Sequence, residues 1–195
     1  MIGRLRGTVV DKRPPVLILD VGGVGYELEA PMSTFFNLPA AGEPVTLHTH
    51  LAVRDDALLL FGFGTRAEKD LFRDLIKVSG VGAKMALTIL SGTGVDEFVI
   101  TVREGNADKL TGLPGVGKKT AARLIVEMRD RLGAPAETAG AGSAAAPADA
   151  VTEAHRALTA LGYKPAEATR LLKDREDPDA DSESLIRQAL RKAVR

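Results

Sequence analysis

Leu113-Pro114-Gly115-Val116-Gly117-Lys118-Lys119-Thr120-Ala121-Ala122-Arg123-Leu124-Ile125 restates, without a gap, Val78-Ser79-Gly80-Val81-Gly82-Ala83-Lys84-Met85-Ala86-Leu87-Thr88-Ile89-Leu90. The offset is 35 residues throughout, and Leu75 and Leu110 extend the match upstream. Each copy reads as a helix, a tight Gly-Val-Gly turn, and a second helix that begins almost at once. The glycines permit a sharp turn and the close approach of another backbone. The valine between them can anchor the turn in a core. The first N–H groups of the second helix have no intrahelical partner, and the helix dipole favours an anion there. Lys84, Lys118, Lys119 and Arg123 lie in or just after the turns and add positive charge. Ala86 and Ala121, four residues past each second glycine, let the helices pack closely. Such a unit holds phosphate without reading a base. Its candidate ligand-holding residues are Gly80, Val81, Gly82, Lys84, Gly115, Val116, Gly117, Lys118, Lys119 and Arg123.

Two blander readings compete. An ordinary helix–turn–helix with a glycine turn accounts for one copy, but less well for two with matching cations. Gly112-Leu113-Pro114-Gly115-Val116-Gly117-Lys118-Lys119 nearly spells the ATPase loop G-x-x-x-x-G-K-[ST]. Lys119 stands where the magnesium-holding hydroxyl belongs, and Ala107 to Thr111 reads as helix, not as the strand that should precede such a loop.

These turns resemble the helix-hairpin-helix family, which binds DNA backbones non-specifically. The resemblance implies that a pair of such units, related by approximate two-fold symmetry, holds both strands of a duplex across its minor groove.

The 195 residues divide by pattern into four segments. Residues 1–64 read as β-rich. Val24, Tyr26, Leu28 and Ala30 alternate with Gly25, Glu27 and Glu29, and Val45 to Val53 repeats the pattern. Strands are also expected over Ile2–Val10, Val16–Asp20 and Leu58–Phe63, with turns at Arg13-Pro14-Pro15 and Gly22-Gly23 and a short helix over Met32–Leu38. Three strands, a helix and two strands suggest a five-stranded oligonucleotide-binding-type barrel, another small β-barrel being the alternative. Residues 65–133 open with a capping box, Thr65 and Glu68, and end in a long helix from Lys118 to about Leu132 with Gly133 as its stop. Residues 134–150 contain no large apolar side chain and read as a flexible linker. Residues 151–195 read as three short helices, with Gly162 ending the first and Pro165 starting the second.

Charge follows the same division. The net charge is +0, but residues 65–133 carry 12 basic and 9 acidic groups while both flanking segments are slightly acidic. DNA binding must then rest on local geometry more than on a strong overall field. The absence of Cys excludes disulfides and thiolate metal sites. With no Trp and few aromatics, a base-stacking surface for single strands is disfavoured. No run is long enough to span a bilayer and Met1-Ile2-Gly3-Arg4 opens no secretory signal, so a cytoplasmic, membrane-free protein is expected. No cofactor is called for. His48 and His50 share a strand face without a third ligand, so no metal site is expected.

Arg54-Asp55-Asp56 falls between two apolar strands. Aspartates suit turns, but on a surface facing phosphates each would repel the backbone. Several copies meeting at a symmetry axis would form a negative post that pushes DNA strands apart.

Met1-Ile2-Gly3-Arg4-Leu5-Arg6-Gly7, Val21-Gly22-Gly23-Val24-Gly25-Tyr26, the doubled hairpin and Leu161-Gly162-Tyr163-Lys164-Pro165 together resemble the RuvA family of Holliday-junction-binding subunits, over the whole chain. Asp55 stands where that family often has Glu. The resemblance implies a non-catalytic homotetramer, built through the first two segments, that holds a four-way DNA junction open in recombination and repair. One tetramer or a pair of them could clasp the junction. It implies that Asp55 and Asp56 form a central acidic pin. It further implies that the C-terminal segment is a ubiquitin-associated-type bundle that recruits a hexameric ATPase motor (RuvB), with Leu158, Leu161, Tyr163 and Leu190 as the apolar patch. A resolving endonuclease (RuvC) can share the junction. A helix-hairpin-helix glycosylase or nuclease stays open as the alternative, as does a plain backbone-binding scaffold. Asp96, Glu97, Glu104 and Asp108 are spread over a helical region, where solvated faces account for them.

Overall fold

The computed structural model describes residues 1–54, 57–132, 150–173 and 180–193. The expected linker and Gly133 therefore lie almost wholly outside the described residues, except that Ala150 already belongs to a helix. The chain forms two compact units, Met1–Ala136 and Glu137–Arg195.

The first unit begins with strands β1 (Arg4–Arg13), β2 (Val16–Val21) and β3 (Val24–Glu29). A short helix α1 (Met32–Phe36) leads to β4 (Pro44–Val53) and β5 (Leu58–Phe63). They close into a barrel in the order β1-β2-β3-β5-β4. Four pairings are antiparallel; β3 meets β5 in parallel at Glu29 and Phe61, which completes the ring. Alternation drives the inward set: Leu17, Leu19, Leu28 and Leu47 are fully buried, each contributing about 1.5–3 kcal/mol.

β1 runs past its expected end at Val10. Its register with β2 shifts between Val9 and Asp11. This bulge turns Val10 outward and breaks the alternation without ending the strand. β1 serves two neighbours, β4 at its start and β2 at its end. A Cβ at Gly7 would collide with the Asp20 carbonyl where it changes partner. The turns lie at Pro14-Pro15, joined by a cis peptide, and at Gly22-Gly23.

Helices α2 (Arg66–Leu75), α3 (Ala83–Gly92), α4 (Val95–Glu104), α5 (Ala107–Thr111) and α6 (Lys118–Arg131) follow. The Thr65–Glu68 capping box forms in both directions, each bond 3.1 Å. α2 buries Leu71, Phe72 and Leu75. The Phe72 ring sits 5.0 Å from that of Phe61 and 4.9 Å from that of Phe63. Two barrel phenylalanines thus belong to the helices' core. Barrel and helices are one body with a shared interior.

The second unit holds α7 (Ala150–Ala160), α8 (Pro165–Lys173) and α9 (Ser182–Ala193). Gly162 takes φ +101°, and the Tyr163 N–H returns to the Leu158 carbonyl at 3.2 Å, ending α7. Pro165 opens α8 as expected. Ala154, Leu158, Ala168, Leu172, Leu185 and Ala189 form its core. Among the described residues no single helix is long and apolar enough to cross a membrane.

Candidate nucleic-acid interface

The repeat read in the sequence is repeated in the backbone, bond for bond. In the first hairpin, the N–H of Val78 donates to Leu75, Val81 to Val78 and Ala86 to Gly82, each at 3.0 Å. In the second, Leu113 donates to Leu110 and Val116 to Leu113 at 3.1 Å, and Ala121 to Gly117 at 2.9 Å. Gly80 and Gly115 take φ +87° and +80°, a region that side chains enter only at a cost. Ala86 and Ala121 are wholly buried, which brings the helices close.

The second glycine of each turn has a different reason to be there. Gly82 and Gly117 are the N-caps of α3 and α6, with φ −86° and −81°, values open to any residue. A Cβ at either would meet no atom within 4 Å. Nothing inside the protein requires glycine here. The cost of choosing it is a missing side-chain cap, since neither helix start has one. α2 and α5, by contrast, are capped by Thr65 and Asn106. The first turns of α3 and α6 also lack the acidic residues that α2, α4 and α5 place there. Two helix starts are thus left bare, positive and unobstructed, as an anion site needs.

Arg66, Lys77 and Lys109 pair with Asp70, Asp74 and Glu97. Among the described residues Lys84, Lys118 and Lys119 make no side-chain hydrogen bond or ion pair, and all three are exposed. Glu97 pairs with Lys109, and Asp96 and Asp108 sit in the first turns of α4 and α5. Among the described residues no group of three or more His, Cys, Asp or Glu side chains could hold a metal.

Arg123 ties the two hairpins together. Its Nη1 donates to the Ser79 carbonyl at 2.9 Å and to Ser79 Oγ at 3.1 Å. The loop of the first hairpin therefore lies beside α6 of the second.

The family comparisons agree along the chain. The RuvA N-terminal domain family matches residues 1–62, a SAM-like tandem helix-hairpin-helix family matches 72–130, and the RuvA C-terminal domain family matches 149–194. The chain is 57% identical over 201 residues to a protein of Thioalkalivibrio sulfidiphilus, covering all of both. It is 56% identical over 209 residues to one of Alkalilimnicola ehrlichii and 51% over 203 residues to one of Escherichia coli O139:H28, again at full coverage of both chains. Each relative is described as the Holliday junction branch migration complex subunit RuvA. The chain belongs to the RuvA family.

Within that family setting, the structure sorts the expected site residues. Gly80, Gly82, Gly115, Gly117, Lys84, Lys118, Lys119 and Arg123 are exposed. Val81 and Val116 are buried, as core anchors of the turns should be, but their N–H groups are taken by the Val78 and Leu113 carbonyls, so the ligand-holding expectation for them is corrected. They anchor the turns instead of facing a ligand. Asp55 and Asp56 lie outside the described residues. Beside them, Arg54 donates its N–H to the Ala57 carbonyl at 2.9 Å, and Val53 pairs with Leu58 across β4 and β5. In the C-terminal unit Leu158 must be corrected: it is fully buried in the bundle core and cannot present itself to a partner. Leu161, beyond the end of α7, is 61% exposed, while Tyr163 and Leu190 are half-buried. Ser79 is a site residue that the repeat alone does not reveal. Its signal is a departure from the repeat, because the second copy has Pro114 at that position.

His50 packs 5.6 Å from Phe72 and 6.5 Å from Phe61, where the barrel meets α2. Burial, and then the charges of Arg73 and Lys69, hold its pKa below the ordinary 6.5. Its place is structural.

Proposed function

We propose that this chain is the DNA-binding subunit of a branch-migration complex, a non-catalytic protein that recognises four-way junctions. The observation that carries the reading is the pair of equivalent hairpins joined by Arg123, each with a bare helix start and at least one unpaired lysine. Backbone N–H groups at Gly82 and Gly117 and the exposed Lys84, Lys118 and Lys119 hold phosphates on the two strands of an arm. This grip is indifferent to base sequence. Val81 and Val116 keep the turns rigid from inside, and Arg123 keeps the two grips at a fixed spacing while its remaining donors face outward.

Discrimination comes from Asp55 and Asp56. Copies of the chain assemble as a homotetramer, singly or as a pair, and bring these carboxylates to the crossover. There they repel strands that continue straight across. Val53 and Leu58, exposed next to this segment, supply apolar contact between copies. The C-terminal unit recruits the hexameric ATPase motor (RuvB) through Leu161, Tyr163 and Leu190. The resolving endonuclease (RuvC) shares the junction, and the complex works in the cytoplasm.

Titration of a four-way junction and a linear duplex of equal length, at two salt concentrations, tests the reading. The junction should bind more tightly at both, and both affinities should fall with salt. Asp55→Asn with Asp56→Asn should tighten duplex binding and lower the preference. Equal affinity of the wild-type chain for both DNAs would overturn the proposal.

A further inference from the structure

α1 reaches both helices of the first hairpin. Met32, Ser33 and Thr34, three consecutive residues of this barrel helix, each make one polar tie to the helical half of the unit. The Met32 N–H, which has no side-chain cap of its own, donates to Ser91 Oγ on α3 at 3.0 Å. Ser91 in turn donates to the Leu87 carbonyl at 2.6 Å, which fixes its hydroxyl as the acceptor for Met32. Ser33 Oγ donates to Glu68 Oε1 on α2. Thr34 Oγ1 donates to Glu68 Oε2 at 3.3 Å and accepts from the Gly64 N–H at 3.0 Å, at the joint between β5 and α2.

Glu68 thus does more than complete a capping box. Its side chain is buried, and its two oxygens take hydrogen bonds from Ser33, Thr34 and Thr65. α2 precedes the Gly-Val-Gly turn and α3 follows it. The two limbs of one hairpin are therefore tied to the same three-residue segment of the barrel. The cluster of Phe61, Phe63 and Phe72 also joins the halves, but its contact is apolar and non-directional. Hydrogen bonds are directional. The exposed Lys69 Nζ adds a tie to the Gly3 carbonyl at 3.0 Å, weaker for being in water.

We propose that Glu68 and Ser91 are positioning residues that, through α1, fix the first hairpin against the barrel and thereby set the discrimination between junction and duplex DNA. The proposal rests on the junction-binding reading above. That reading needs the phosphate grips and the acidic segment between β4 and β5 to hold a constant separation, because repulsion acts on a strand only where the grips deliver it. The grips themselves are local to each turn and do not depend on the ties. Loosening α1 should leave the grips intact and relieve the repulsion of continuous duplex, so junction preference erodes through tighter duplex binding.

The test uses the full chain and the variants Ser33→Ala, Ser91→Ala and Glu68→Ala, with Thr101→Val as a control. Thr101 is buried, and its hydroxyl donates to the Glu97 carbonyl of the same helix at 2.8 Å. Its replacement softens the same core without touching α1. For each folded variant, affinities for a four-way junction and an equal-length duplex are measured together with the melting temperature. Junction affinity should stay near wild type throughout, and duplex affinity should rise in the Ser33, Ser91 and Glu68 variants. The junction-to-duplex ratio should fall by about fivefold for each tie removed, the scale of one net hydrogen bond. The ratio should hold in Thr101→Val even where its melting temperature falls as far. If Glu68→Ala fails to fold, the two serine variants decide. An unchanged ratio in both serine variants, or an equal fall in Thr101→Val, overturns the proposal. A wild-type chain without junction preference overturns the functional reading, and this inference with it, before any variant is compared.

Discussion

Replacing glycines two positions apart in the hairpins should have opposite consequences. Gly82 and Gly117 sit in backbone conformations that alanine accepts, with no atom within 4 Å of the added Cβ. Alanine is a poorer N-cap than glycine by up to about 1 kcal/mol, and it returns about 0.4–1 kcal/mol by restricting the unfolded chain. The two effects offset, so Gly82→Ala and Gly117→Ala should each shift stability by less than about 0.5 kcal/mol. The same methyl stands in front of a bare helix start. Breaking one hydrogen bond to a charged phosphate costs about 1.5–3 kcal/mol, or roughly 10- to 100-fold in DNA affinity per hairpin. Gly80→Ala and Gly115→Ala reverse the balance: forcing alanine to φ +87° or +80° costs about 1–2 kcal/mol of stability. Denaturant midpoints and duplex titrations on the four variants measure both effects. The reasoning fails if the Gly82→Ala, Gly117→Ala double variant binds DNA like wild type, or if that pair destabilises the fold as much as Gly80→Ala with Gly115→Ala.

Three further outcomes follow from the same geometry. Lys118→Ala with Lys119→Ala should weaken junction and duplex alike and reduce the slope of log K against log salt by up to about 0.9 for each phosphate no longer neutralised; an unaltered slope at unaltered affinity removes these lysines from the interface. Leu158→Ala should destabilise the C-terminal helices by about 2–5 kcal/mol, whereas Leu161→Ala should leave the melting curve alone and weaken motor recruitment, as a pull-down would show. His50 binds its proton less readily folded than unfolded, so its contribution to stability is full above the ordinary 6.5 and is lost as pH falls from there through its lowered folded value. Denaturation midpoints of His50→Gln against wild type should therefore converge towards acid, and parallel pH profiles would show that its titration does not matter.

Much of this architecture is written in local pattern. The offset of 35 residues predicts not only two turns but the same hydrogen bonds in each, because both turns solve one packing problem with one residue set. The Thr65 capping box, the Gly162 stop and the Pro165 start are equally local and appear where their chemistry places them. What sequence pattern does not carry is pairing between distant segments. The sequence marks β3 and β5 as strands but not that they close the barrel side by side, a junction of one residue pair. A helical stripe places Leu158 and Leu161 on one face, but α7 ends at Ala160, so one enters the core and the other stays in solvent. The links that give the site its geometry, Arg123 to Ser79 and Glu68 to Ser33 and Thr34, join residues 44, 35 and 34 positions apart. Each of those side chains has an adequate local explanation, which is why its distant partner goes unnoticed.

The claim that two matched hairpins hold the sugar–phosphate backbone is tested most directly by phosphate ethylation interference on a synthetic four-way junction bound to the full chain. The account predicts that ethylation interferes at pairs of phosphates facing each other across the minor groove, one pair set in each of the four arms, with base modification having no effect. Interference confined to one strand of an arm, or at bases and not phosphates, would contradict it.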